Sequence, residues 1–226
     1  MALRLEELAK TIDSLLAPGA GSAAISGLCE VACNFHFAAI CVPPAHVRAA
    51  AERLRGCDVK VGAVLARGNA DVARSCVAAG AVELDAPLDT VAMLAGEFRR
   101  ARARLATVVN AARMASVNGG RGHVLVKAVV DGDRLDPARK QLACRIVHDV
   151  DADFAVLATT APAGNAALWD VELLREWLPE AIGVKASGPV ANAEEAQKLL
   201  DAGAARLGTP YAAAVMRGLP VLRRAS

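Results

Sequence analysis

Short apolar runs alternate with longer Ala-, Leu- and charge-rich stretches along the whole chain. Residues 11–16, 37–42, 60–65, 81–85, 123–130, 153–158, 182–185 and 206–208 read as strands. Helical patterning lies between them at 45–55, 71–79, 88–105, 137–150, 170–177 and 193–202. Such alternation is the mark of parallel β/α units. The repeated Ala-Gly-Ala at 79–81 and 202–204 predicts glycine caps that turn a helix into the next strand. Residues 106–122 read as a helix end followed by a Gly-Gly loop. Eight such units with no linker predict an α/β fold, a single (β/α)8 TIM barrel spanning residues 1–226 as one domain.

The rival architecture is an open doubly wound sheet that binds a dinucleotide. Gly19-Ala20-Gly21-Ser22-Ala23-Ala24 fits the looser glycine fingerprint of that fold. No Asp or Glu closes the next strand, at 37–42, where a ribose-binding acid belongs. The glycines therefore read as a turn before a helix.

Hydrophobic residues make up 54% of the 226 residues and aromatics only 3%, which suits Ala-rich helices packed on a Val/Leu-rich sheet. A net charge of +2 without aromatic platforms argues against nucleic-acid binding. The Arg-rich run at 99–104 reads as the solvated end of a helix. No apolar run reaches membrane-span length, and charges occupy the N-terminal stretch where a signal peptide needs an apolar core. The expectation is a cytoplasmic protein with a small-molecule substrate, no nucleic-acid or membrane partner, and a homodimer as the candidate assembly. The six cysteines lack metal or redox spacing and read as buried free thiols, with Cys29 and Cys33 on one helix face. His36, His46, His123 and His148 form no cluster with acids in the sequence, so no metal and no cofactor are expected.

Chemistry concentrates on ionisable residues in apolar strands. Lys185 closes the run Gly183-Val184-Lys185, and the C-terminal strand ends of α/β proteins are where reactive groups sit. A partly desolvated Lys there can lose enough basicity to act as an amine nucleophile or a general base. Its plainer role is a stem lining the strand while the head reaches water. Asp13, Asp85 and Lys127 share the pattern, and buried charges of both signs are costly unless they neutralise one another. The four are therefore expected to converge at the C-terminal mouth of the barrel. Asp85 could instead cap a helix or form a structural ion pair, and Lys127 could be the partner of Asp85 or Asp13.

Gly183-Val184-Lys185-Ala186-Ser187-Gly188 closely resembles the seventh strand of deoxyribose-phosphate aldolases, G-V-K-A-S-G-G-[IV]-R. Ile12-Asp13-Ser14-Leu15-Leu16-Ala17-Pro18, Leu28-Cys29-Glu30, Phe37 to Pro43, Glu83-Leu84-Asp85, Lys127 to Asp131 and Ala152-Asp153-Phe154 extend the resemblance in order. It implies a barrel whose mouth is lined by Asp13, Asp85, Lys127 and Lys185, with substrate contacts at Cys41, Thr159, Ser187, Gly188 and Gly208. One departure is central. The family's imine-forming lysine of strand six, in A-D-F-[VI]-K-T, is replaced here by Val156. The family's G-G-[IV]-R turn becomes Gly188-Pro189-Val190-Ala191, and G-[AT]-S-S becomes Gly208-Thr209-Pro210-Tyr211, which removes donors expected to hold a phosphate. The third-strand G-F-P-x-G is likewise changed, to Leu65-Ala66-Arg67-Gly68-Asn69.

Three functional readings follow. In the first, the chain is a diverged carbon–carbon lyase acting on a small aldehyde or sugar-derived substrate, with Lys185 as the imine-forming amine. In the second, the same fold performs acid–base chemistry on a carbonyl or cyclic intermediate, of the isomerase or cyclase type. In the third, it binds a metabolite without catalysis. The first reading needs the Lys185 pKa lowered, with Asp85 as proton shuttle; burial and Lys127 push it down, Asp85 and Asp13 push it up, and the balance decides reactivity.

Overall fold

The computed structural model describes residues 4–17, 19–120, 122–161 and 164–218. Eight strands run parallel and close in sequence order into one barrel, with β1 paired to β8. They are β1 (Ile12–Leu15), β2 (Ala39–Val42), β3 (Lys60–Val64), β4 (Glu83–Pro87), β5 (Leu125–Asp131), β6 (Phe154–Ala158), β7 (Gly183–Ser187) and β8 (Arg206–Thr209). Helices α1 (Leu5–Ala9), α2 (Ala23–Phe35), α3 (Val47–Arg53), α4 (Ala70–Ala79), α5 (Thr90–Leu94), α6 (Phe98–Asn118), α7 (Pro137–Asp149), α8 (Asn165–Trp177), α9 (Ala193–Asp201) and α10 (Ala212–Arg217) surround it. Their small buried residues, such as Ala32, Ala50, Ala73, Ala112, Ala143 and Ala196, let them lie close against Val- and Leu-rich strands. Closure of the sheet excludes the open dinucleotide-binding alternative. Gly19 has φ +76° in the turn leading to α2, as the turn reading requires, while Pro18 of that segment lies outside the described residues.

Among the strands that sit further along the chain than the apolar pattern suggests are β4 and β7. β4 covers 83–87 rather than 81–85, and β7 covers 183–187 rather than 182–185. Asp85 and Lys185 thus occupy strand centres, not strand ends. A charge looks like a strand terminus in sequence, but a paired charge can be strand interior. The helical stretch 88–105 is broken at Gly96, whose φ of +76° no helix can accommodate. α6 starts beyond it and runs to Asn118, because Ala101, Leu105, Val108, Ala112 and Ser116 continue one buried stripe. Gly80 (φ +118°) and Gly203 (φ +105°) end α4 and α9 in the left-handed region, as the Ala-Gly-Ala repeats predict.

The cysteine expectation needs correction. Cys33, at the end of α2, is joined to Cys57 in a disulfide. A pair separated by 24 residues carries no spacing signal, and only the packing of α2 beside α3 brings the two together. Cys29, Cys41, Cys76 and Cys144 are free and buried. Among the described residues no helix is long and apolar enough to cross a membrane.

Candidate functional site

Side chains alternate across a strand, so residues two apart share a face. Asp13 on β1, Glu83 and Asp85 on β4, Lys127 on β5, Lys185 on β7 and Arg206 on β8 all meet inside the barrel, as their mutual contacts show. The Lys185 ammonium donates to Asp85 at 2.7 Å and lies 2.8 Å from Asp13. Lys127 donates to Asp13 at 2.6 Å and contacts Glu83 at 2.5 Å. Arg206 bridges Glu83 at 2.7 Å and Asp13 at 3.2 Å. Lys127 also stands 5.9 Å above the Phe154 ring centroid. Both lysines and Asp13 are 0% exposed. Three cations face three carboxylates, so the cluster is formally neutral.

The four residues singled out in the sequence are brought together, but one layer below the mouth. Pro87 and Val129, each two residues further along the strands of Asp85 and Lys127, line a cavity of about 290 Å³ with Asp131, Asp133, Ala158, Thr159 and Thr160. Glu83 and Arg206 were not anticipated. Glu83 had a readable signal, since it shares a strand face with Asp85, whereas Arg206 is recognisable only once β8 closes against β1.

The lowered Lys185 pKa that the first reading needs is not found. Burial alone would lower it, but the Asp13 and Asp85 carboxylates outweigh burial and hold it well above the usual lysine value. Lys127 is raised too, as the attraction of Asp13 and Asp85 overcomes burial and repulsion from Lys185. Asp13 is held far below the carboxylate range, because Lys185, Lys127 and Arg206 outweigh its desolvation. Both the repulsion from Lys127 and the attraction of Asp13 and Asp85 were expected; which of them prevails follows from the distances. In Asp85 one oxygen binds Lys185, while Oδ1 makes no hydrogen bond and has Lys127 Nζ at 3.8 Å.

The remaining positions separate into two groups. Thr159, Ser187 and Gly188 line a crevice at the ends of β6 and β7 with Pro189 and Val190. Cys41 and Gly208 lie inside the barrel instead of on a substrate-facing wall. Cys41 Sγ is 3.7 Å from Lys185 Nζ, and burial first of all keeps this thiol protonated by raising its pKa. A Cβ on Gly208 would fall 2.8 Å from Lys185 Cε and 2.7 Å from Ser187 Oγ, so glycine here makes room for the lysine stem. Val156 is the β-ladder partner of Lys185 and is 1% exposed.

His123, read as isolated, is not. Its Nε2 lies 2.6 Å from Asp153, which also pairs with Arg113 at 3.0 Å. Among the described residues no group of three or more His, Cys, Asp or Glu is arranged to hold a metal ion.

No family profile matches the chain. Individual relatives do. It is 33% identical to the deoxyribose-phosphate aldolase of Brevibacillus brevis over 218 residues, covering 92% of this chain and 95% of that one. It is 33% identical to that of Caldanaerobacter subterraneus over 213 residues, covering 90% of each. Among solved structures, the tetrameric deoxyribose phosphate aldolase from Aeropyrum pernix superposes with a TM-score of 0.80 at 23% identity, covering 95% of this chain and 91% of that one. An aldolase named QR15 gives 0.79 at 23% identity, covering 93% and 94%. The barrel, its strand order and near-full-length identity of this level agree: the chain belongs to the deoxyribose-phosphate aldolase family.

Proposed function

We propose that this chain is an aldolase-like lyase acting on a small carbonyl substrate by proton transfer, without an imine. The supporting observation is Asp85. It lies two residues before Pro87, which lines the mouth cavity, on the same strand, and is fixed through one oxygen by Lys185 at 2.7 Å, with its other oxygen free of hydrogen bonds. In this reading Asp85 accepts a proton from the carbon next to a carbonyl, or from the hydroxyl whose deprotonation opens a carbon–carbon bond. The Lys185 ammonium stabilises the enolate that develops, and the protonated Asp85 returns the proton to the enolate carbon. Enolisation is common to lyase and isomerase chemistry, which keeps the two related readings within one mechanism. The geometry weighs against an imine on Lys185, since an amine nucleophile must be unprotonated and two carboxylates hold this one charged. The whole chain is taken to work as one domain. Self-association, with a homodimer as the candidate, belongs to the same reading and is measured by sedimentation.

The test uses α-proton exchange of acetaldehyde and glyceraldehyde in deuterated water, followed by NMR. Exchange is expected for the native protein and is expected to fall by about 10²-fold or more in Asp85→Asn, the usual scale of a general base. Borohydride added with either aldehyde is expected to leave Lys185 unmodified. A stable adduct on Lys185 by mass spectrometry would replace this reading with the imine one. Absence of exchange in the native protein would leave metabolite binding as the better account.

A further inference from the structure

In (β/α)8 barrels anions are commonly captured by loops after strands seven and eight and by a helix N-terminus nearby. Here several of those loop donors are bonded within the chain. After β7, Gly188 N–H donates to the Gly208 carbonyl at 2.9 Å, Pro189 has no N–H, and Val190 N–H donates to the Gly188 carbonyl at 2.9 Å. Ala191 N–H donates to the Glu195 carboxylate at 2.9 Å, and Asn192 Nδ2 donates to its other oxygen at 3.0 Å. After β8, the Thr209 hydroxyl donates to the Val190 carbonyl at 2.8 Å and accepts from Tyr211 N–H at 3.0 Å, while Pro210 has no N–H. Asp131 and Asp133 add negative charge to the wall of the neighbouring cavity, which shares Thr159 with the crevice at the end of β7.

We propose that the Glu195 carboxylate is a built-in anion in the loop after β7, so that the barrel selects a small carbonyl substrate without a phosphate group. Glu195 begins as an ordinary helix cap: Asn192 accepts from its N–H at 2.9 Å while its side chain folds back over the preceding loop. The consequence for specificity is electrostatic. A phosphate approaching Ala191 and the start of α9 meets a carboxylate already bonded there, and Pro189 withholds another donor. A neutral hydroxyl- or hydrogen-terminated substrate meets no such repulsion. Glu195 is thus a specificity-determining residue for the site, and this assignment rests on the proton-transfer reading of the mouth.

Two measurements keep the two ideas apart. Inorganic phosphate is titrated into the full-length protein and followed by 31P NMR, independently of any activity. No binding is expected for the native protein, measurable binding for Glu195→Gln, which keeps the cap acceptor but removes its charge, and stronger binding for Pro189→Gly/Glu195→Ala. Circular dichroism checks that each variant is folded. Separately, glyceraldehyde is expected to exchange its α-proton at least about tenfold faster than glyceraldehyde 3-phosphate, a difference of ~1.4 kcal/mol. Phosphate binding to the native protein, a preference for the phosphorylated aldehyde, or no gain of phosphate binding in folded variants overturns the proposal. A phosphate preference that vanishes in Arg67→Ala would do so by assigning the anion to the loop after β3. Loss of exchange with both aldehydes defeats the proton-transfer reading alone, because the phosphate titration still reports on Glu195.

Discussion

Lys185 owes its state to two carboxylates on different strands, and Val156 beside it can supply no amine. Val156→Lys would add a fourth cation to a neutral set of three cations and three carboxylates, leaving one positive charge in excess. Both desolvation and repulsion then lower the new lysine's pKa. We expect this variant to form a borohydride-stable adduct with acetaldehyde at position 156, mapped by mass spectrometry, whereas the native chain forms none within the barrel. An unmodified Val156→Lys protein with an intact circular dichroism spectrum would refute the expectation. At this scale the sequence disclosed which charged residues meet inside the barrel more readily than what state they are in. Asp13, Asp85, Lys127 and Lys185 stood out because charges in apolar strands are expensive. The sign of the Lys185 shift depends on whether carboxylates at 2.7 and 2.8 Å outweigh burial and Lys127, and spacing along a chain does not encode that.

At the scale of elements, the Phe154 ring lies between Lys127, 5.9 Å above it, and the backbone at Gly183. A Cβ on Gly183 would lie 2.2 to 2.7 Å from Phe154 ring atoms, too close for β6 and β7 to keep their separation. Gly183→Ala is expected to lower unfolding free energy by about 1–3 kcal/mol, as overpacking does, measured by denaturant titration. Removing the ring as well, in Gly183→Ala/Phe154→Leu, should recover part of the loss. A double variant no more stable than Gly183→Ala would show that the ring is not what the methyl strikes. Strand identity was legible because parallel barrel strands are buried on both faces and read as apolar runs. Strand limits were less so, as β4 and β7 continue past their charges through Ala86 and Ala186. The disulfide and the break at Gly96 escaped notice for related reasons: one needs tertiary proximity, the other a single residue's φ.

For the whole molecule, the ionic interior sets a pH window. Asp13 is lower in the folded state, so its contribution is present above the unfolded carboxylate value of ~3.9 and is lost as pH falls below it. Lys127 and Lys185 are higher in the folded state, so theirs is complete below ~10.4 and is lost as pH rises through their folded values. These residues therefore predict a thermal midpoint that is nearly flat between roughly pH 5 and 10 and falls on either side. In Asp13→Asn the acid limb should shrink, and a native-like acid limb in that variant would mean other carboxylates control it.

The distribution of the six charges of the cluster along the chain has a consequence for how the barrel can be cut. Every carboxylate of the cluster lies on β1 or β4, and every cation on β5, β7 or β8. Division in the loop before β5 would yield one half-barrel with an anionic interior and another with a cationic one. Either half pairing with its own kind would enclose six like charges, whereas pairing with the other restores neutrality. Co-expressed halves should assemble one to one and resist homodimerisation, an orthogonality written into the interior rather than the surface.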